Sequence, residues 1–226
     1  MVFVTGATGG VGRVLVQLLA AEGVVPLASY RAGNKNVAFE LADKYGAIPV
    51  ELDLECESTI RSAIEVITPF AARISALALL ASPPPVLSPF SRISSDELEK
   101  QWRVNVVANH RLISELVRLS FRPKLTGIVV GVLTQAMGGS ECGAMPKMGA
   151  YTIGKFGLLG VLTLLAADYP WLNVETIYPG FTETTMLEAF DPRFIEAKRN
   201  AGEVVSADLV ATHILSLLKN SGVIDR

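Results

Sequence analysis

Cysteine, histidine and tryptophan each occur only twice in this chain. Cys56 and Cys142 are too few for a disulfide framework and have no metal-ligand spacing, and His110 and His213 stand isolated, so no metal is expected. Cys142 has no base within sequence reach to mark it as a nucleophile. Charge of one sign is missing too: 20 Lys and Arg against 22 Asp and Glu leave a net charge of -2. That balance excludes the basic face of a nucleic-acid binder and an acidic tail. With 50% hydrophobic residues, disorder is excluded as well. The longest apolar runs are broken by Asp, Lys, Gly or Pro, so no membrane span is expected. Strand-like sequence from Val2 leaves no room for a basic region and an apolar leader, and a cytoplasmic protein is expected. No internal repeat is visible, and 226 residues suit one domain over 1–226.

What is present is an alternation of short apolar runs with amphipathic stretches. Strands are expected at 2–5, 24–28, 48–52, 77–81, 127–133 and 173–178. Helices are expected from about Val11, then at 37–44, 58–70, 151–167 and 207–218. Strands apolar on both faces, alternating with helices, predict an α/β fold: a three-layer α/β/α sandwich around a mainly parallel sheet. SPPPVLSP must leave the sheet as a loop, because each proline lacks a donor and fixes its own φ. Ser94 and Glu97 then have capping-box spacing. Leu98, Trp102, Asn105, Asn109, Leu112 and Leu116 fall near one stripe of a long helix, and its two asparagines need partners if buried.

VFVTGATGGVG places Gly6, Gly10 and Gly12 at the junction of a strand and a helix. Such glycines permit a tight turn and close approach to a pyrophosphate, and the helix N-terminus supplies donors. A purely structural turn is the alternative. No Gly-Lys-Ser/Thr follows, so this is not a mononucleotide P-loop. Tyr30 and Arg31 close the second strand, where a site for NAD would place an acid. A guanidinium there suits a 2′-phosphate and points to NADP, with Lys35 a second cation or a solvated lysine. Asp53 begins the turn after the third strand, either capping it or holding an adenine edge.

Tyr151 and Lys155 are four apart on a helix and share a face. A neighbouring ammonium favours phenolate and is expected to lower the tyrosine pKa. With these residues in order, the sequence resembles the short-chain dehydrogenase/reductase family, and among its members the 3-oxoacyl-carrier-protein reductases. TGATGGVG matches the family's glycine turn, YTIGK its Tyr-xxx-Lys pair, YPGFTETT its proline–glycine segment, and Asn105 in RVNVVANH its helix asparagine. ASYR is similar to the NADP-preferring members, and ELDLE to the adenine-side stretch.

The resemblance implies a Rossmann-type fold and hydride transfer between NADP(H) and a ketone or secondary alcohol. It implies that Tyr151 donates the proton, Lys155 binds the nicotinamide ribose and keeps the tyrosine acidic, and Asn105 holds a water. Cofactor contacts are implied for Gly6, Thr8, Gly10, Val11, Gly12, Tyr30, Arg31, Asp53, Leu54, Ala81, Tyr151, Lys155, Pro179, Gly180 and Thr182. The family's serine spacing, 13 residues before Tyr151, falls on Gly138. Aligning IVVGVLT instead gives the hydroxyl role to Thr134, with Ser140 in GGSEC the rival.

Leu79-Leu80-Ala81-Ser82 replaces the family's Asn-Asn-Ala-Gly, which removes an amide brace between strands. Gly9 stands where many NADP-binding relatives are basic. Val223 and Ile224 allow only an abbreviated last strand, so a homodimer is expected beside the homotetramer common among relatives. Gly154, Gly157 and Gly160 would admit a close helix neighbour, within the fold or across a two-fold axis.

Residues 182–202 are the expected substrate lid, with Phe181, Met186, Leu187 and Phe190 as pocket candidates. Arg193, Lys198 and Arg199 are either a docking site for an acidic carrier or phosphorylated substrate, or a salt-bridged surface. An NADPH-dependent ketoreductase, acting on a 3-oxoacyl thioester or related ketone, is the function expected. The alternatives are a dehydrogenase of sugar or cyclic alcohols and a non-catalytic NADP-binding partner protein.

Overall fold

The computed structural model describes residues 1–139 and 143–222. Ser140, Cys142, Val223 and Ile224 therefore lie outside the described residues. Six strands, β1 (Val2–Thr5), β2 (Pro26–Tyr30), β3 (Ile48–Glu51), β4 (Ala76–Leu79), β5 (Ile128–Val132) and β6 (Asn173–Ile177), form one sheet. Their spatial order is β3-β2-β1-β4-β5-β6, and every pairing is parallel. Strand order therefore reverses between β1 and β4, where the two chains diverge and open a crevice at their carboxyl ends.

Alternate strand residues feed two cores, which is why these strands are apolar throughout. Val2, Val4, Ala28, Ala76 and Val130 pack with Leu15 and Leu19 of α1 (Gly10–Ala21), Leu41 of α2 (Lys35–Tyr45), and the last helix. Phe3, Leu27, Leu77 and Val129 face the opposite core with Ile60 and Ala63 of α3 (Glu57–Ile67).

The long helix expected after the proline loop runs as α4 (Ser95–Trp102), a π-helical turn (Arg103–Ala108), α5 (Asn109–Leu116) and a second π-helical turn (Val117–Phe121). Ser94 caps it by accepting the Glu97 N–H at 3.2 Å. Its buried stripe differs from the expected one. Leu98 and Trp102 are 37% and 46% exposed, whereas Gln101 is buried beside Asn105 and Asn109. The asparagine amides each donate to the carbonyl four residues earlier, at 3.1 and 3.2 Å, supplying bonds within a widened turn.

α6 (Gly149–Asp168) carries Tyr151 and Lys155. By length and composition alone it would cross a bilayer, yet it is a core helix: Leu158, Leu162 and Leu165 pack into the second core. Gly154 and Gly157 explain its close approach to α4. A Cβ at 154 would stand 3.1 Å from Asn105 Nδ2, and one at 157 would strike Val106 and stand 2.9 Å from the Trp102 ring. Gly160 faces open space.

After β6 the chain leaves the sheet. β7 (Phe181–Thr182) pairs in parallel with β8 (Val204–Val205), and α7 (Pro192–Asn200) lies between them. Phe181, Phe190 and Phe194 form a ring cluster, with centroids 5.4 to 6.0 Å apart. Lys198 lies over two of those rings and reaches Glu203 at 2.6 Å, while Arg199 forks onto Glu183. α8 (Ala207–Asn220) closes the first core, capped by Ser206.

Candidate active site

One cleft of about 1230 Å³ at the carboxyl ends of the strands gathers most of the residues singled out above. At one end lies the glycine turn. Gly6 has φ +67°, its N–H donates to Ser29 Oγ at 3.0 Å, and the space for its missing Cβ is bounded by the Ala81 backbone at 3.0 Å. Gly12 lets α1 start against the turn, since a Cβ there would overlap the Gly6 carbonyl oxygen and stand 2.7 Å from Ala7 Cα. Gly9, the N-cap of α1, brings no side-chain cap, and the first turn holds no acid. The first N–H groups of a 12-residue helix are thus left to the cleft, which suits an anion.

Thr8, Val11, Tyr30, Arg31, Asp53, Leu54 and Ala81 line the same cleft. Asp53 caps its own turn, with Oδ1 accepting the Glu55 N–H at 3.0 Å. Lys35 lies over the Phe39 ring, 5.7 Å from its centroid, and is not among the lining residues. Arg13 lines the cleft and donates through Nε to the Thr8 carbonyl at 2.8 Å.

The switch point is braced differently from the expectation. Where an asparagine amide is absent, the Thr5 hydroxyl oxygen at the end of β1 accepts the N–H groups of Leu80 and Ala81 at 3.1 and 3.2 Å. The same hydroxyl donates to the Ala78 carbonyl at 3.4 Å, so β1 and β4 are tied at their ends without an asparagine.

At the other end, Tyr151 and Thr134 meet. The Thr134 hydroxyl lies beside the Tyr151 phenol, and its oxygen accepts the Ala136 N–H at 3.2 Å. Burial pushes the Tyr151 phenol up to about 12, with the Thr134 hydroxyl opposing that rise. This corrects the expectation of a lowered tyrosine. Lys155 Nζ is 5.6 Å from the Tyr151 ring centroid, but its own burial takes it down to about 7, so at neutral pH it is only partly a cation. Its ammonium donates to the Val132 carbonyl at 2.8 Å.

Asn105 and Lys155 stand behind the cleft wall rather than lining it. The Asn105 amide is held from both sides: Nδ2 donates to Gln101 Oε1 at 2.9 Å, and Oδ1 accepts from Ser82 Oγ at 3.1 Å. Gln101 in turn donates to the carbonyls of Pro83 and Pro84 at 3.3 and 3.1 Å.

Pro179, Gly180 and Thr182 complete the wall. Gly180 gives passage to Gln135, whose Oε1 lies 2.7 Å from where a Cβ would be. Thr184 lies across the glycine turn, its methyl 2.7 Å from the Cβ position of Gly10.

The sequence profile for short chain dehydrogenases matches residues 1–193. The chain belongs to this family. Among curated short-chain dehydrogenases it is 25% identical over 191 residues to y4vI, an uncharacterized short-chain type dehydrogenase/reductase of Sinorhizobium fredii. That match covers 83% of this chain but spans only 33% of y4vI. It is 29% identical over 193 residues to the 3-oxoacyl-acyl-carrier-protein reductase FabG of Aquifex aeolicus, covering 81% of this chain and 74% of that protein. The fold is shared with an alcohol dehydrogenase from Thermococcus sibiricus complexed with 5-hydroxy-NADP. The TM-score is 0.80 at 18% identity, over 96% of this chain and 90% of that one.

As a short-chain dehydrogenase this chain has partners that motif spacing does not reveal. Arg13 and Gln101 lie outside the motifs, and Thr5, which opens the glycine-turn motif, has its role in the contact it makes with the end of β4. Only the run of three prolines hinted at Gln101, because carbonyls in a chain without N–H donors need an outside partner.

Proposed function

We propose that the protein is an NADPH-dependent ketoreductase that transfers hydride between nicotinamide and a ketone or secondary alcohol. The carrying observation is the juxtaposition of Tyr151 and Thr134 in the same cleft as the uncapped glycine turn. The nucleotide fits the residues present. Gly6, Thr8, Gly10, Val11 and Gly12 offer backbone to a pyrophosphate, and Arg31, with Tyr30 beside it, offers a guanidinium to a 2′-phosphate. Asp53 and Leu54 would border the adenine, and Ala81, Pro179, Gly180 and Thr182 the nicotinamide end. Bound NADPH supplies the hydride that reduces the carbonyl carbon.

Tyr151 gives its proton to the carbonyl oxygen, and a phenol raised to about 12 stays fully loaded for that step at neutral pH. Thr134 donates to the same oxygen as negative charge develops on it. Lys155, behind the ring, steadies the phenolate left by proton transfer. Asn105 shapes the π-helical turn against α6.

A Tyr151→Phe variant is expected to lose roughly 10²-fold or more in kcat for ketone reduction while binding NADPH as before. Unchanged turnover would sink the assignment. The burial of Lys155 behind the wall favours a second reading, a nucleotide-binding protein without turnover. Under that reading NADPH binds and no ketone is reduced.

A carrier-bound 3-oxoacyl substrate has less support, because Lys198 and Arg199 are engaged by Glu203 and Glu183. The segment 182–202 acts as the lid of a single domain, its position set by the ring cluster and by Thr184. Assembly is as a homodimer through the exposed Trp102, Val107, Phe156 and Leu164, onto which Gly160 opens. Leu164→Glu should then run as a monomer in size-exclusion chromatography, and an unchanged dimer would exclude this face.

A further inference from the structure

We infer that the substrate is an uncharged, largely apolar ketone, and that the cleft selects against anionic carbonyl compounds. The inference rests on the ketoreductase reading. Its first support is the wall around the proposed proton donor. Ala136, Met148 and Tyr151 form an apolar cluster, with Met145, Met186 and Phe190 packed against it, and all six line the cleft. Three unbranched thioether side chains adapt to varied apolar shapes and contact ring edges favourably.

The proline loop supports the same conclusion. Pro83, Pro84 and Pro85 also line the cleft and have no N–H to offer, and the carbonyls of Pro83 and Pro84 are already taken by Gln101. That stretch presents ring faces to a ligand rather than hydrogen-bonding groups. The loop is held in place beyond the prolines as well, where the Ser88 N–H donates to the Lys147 carbonyl at 2.9 Å.

Charge decides the sign. Among the described residues lining the cleft, the cations are Arg13, Arg31 and Lys100. Arg13 follows the glycine turn, Arg31 follows β2, and Lys100 is paired at 3.3 Å with Glu55 beyond β3, so all three belong to the nucleotide end. The lid side contributes Glu188, together with Glu203, whose charge is balanced by Lys198 at 2.6 Å. A substrate carboxylate or phosphate would therefore meet apolar side chains and Glu188, with no cation at this end, among the described lining residues, to offset its desolvation. Gln135 and the threonine hydroxyls remain for neutral polar substituents.

The test compares a matched pair of ketones with NADPH: ethyl benzoylformate and benzoylformate, which differ in the ester. Each turnover consumes one NADPH and one proton and yields the secondary alcohol. The expected kcat/KM for the ester exceeds that for the acid by at least about tenfold, and Met186→Lys should shrink the ratio by raising the acid's kcat/KM. Equal or better use of the acid by the parent would overturn the inference, as would a ratio that Met186→Lys leaves untouched. NADPH binding with neither ketone reduced, or failure to bind NADPH at all, would instead remove the ketoreductase reading on which the inference rests.

Discussion

Replacing Gly12 with alanine tests whether the glycine turn is built as described. The added methyl would overlap the Gly6 carbonyl oxygen and stand 2.7 and 2.9 Å from Ala7 Cα and carbonyl carbon, all of them backbone atoms. No flexible side chain can swing away, so the turn itself must move. Its retreat is blocked by the Ala81 backbone, 3.0 Å from the Cβ position of Gly6, and by the Gly6–Ser29 hydrogen bond. Overpacking of this kind costs about 1–3 kcal/mol, and a site walled by backbone belongs near 3. For a domain of this size that corresponds to a Tm lower by about 6–12 °C. Gly33→Ala is the control, because its added methyl meets nothing, its φ is not positive, and alanine at such a site stabilises by about 0.4–1 kcal/mol. Calorimetry of the two variants should therefore show shifts of opposite sign. A Gly12→Ala protein melting within about 1 °C of the parent would refute the reasoning, since backbone overlap of this kind cannot be silent.

Lys155 predicts a pH dependence. Its folded pKa, about 7, lies below the ordinary lysine value of 10.5, so between these values the unfolded chain binds the extra proton. Stability should therefore rise with pH across this window, by up to about 1.4 kcal/mol per unit. In Lys155→Met that rise should be reduced in denaturant titrations at pH 7, 8 and 9, and parallel profiles would contradict it. Above pH 10 the raised Tyr151 reverses the trend, because the unfolded phenol ionises first. Gln101→Leu strands the Pro84 carbonyl and part of the Asn105 amide, leaving the Pro83 carbonyl to Ser82 Oγ, so a loss of about 1–3 kcal/mol is expected in urea unfolding. A loss below about 0.5 kcal/mol would mean that the clasp on the proline loop is not formed.

Much of this was legible in the sequence, for identifiable reasons. β1 falls at 2–5 as its apolar run predicts, and the parallel sheet follows from strands that must be buried on both faces. The Ser94 cap was readable because its spacing is local. β2 runs from Pro26 rather than 24, because pairing with β1 in the register Val2–Pro26 fixes its ends.

Side chains that work across the fold were harder to read. Periodicity placed Leu98 and Trp102 on the buried stripe, but the π-helical turn that follows and the docking of α6 bring Gln101 inward instead. Thr5 heads the glycine-turn motif, but its bond to Leu80 links residues 75 apart and cannot be read from local spacing. The pair Tyr151 and Lys155 was readable, but the sign of the tyrosine shift was not, because burial outweighs a lysine that is itself driven towards neutrality.

The central claim is a nucleotide site that prefers the 2′-phosphate, and it is tested most directly by fluorescence titration with NADPH and NADH, repeated on Arg31→Ala. The account predicts tighter binding of NADPH, with the preference lost in the variant and NADH binding unchanged. Equal affinity for both nucleotides, unaffected by the substitution, would contradict it.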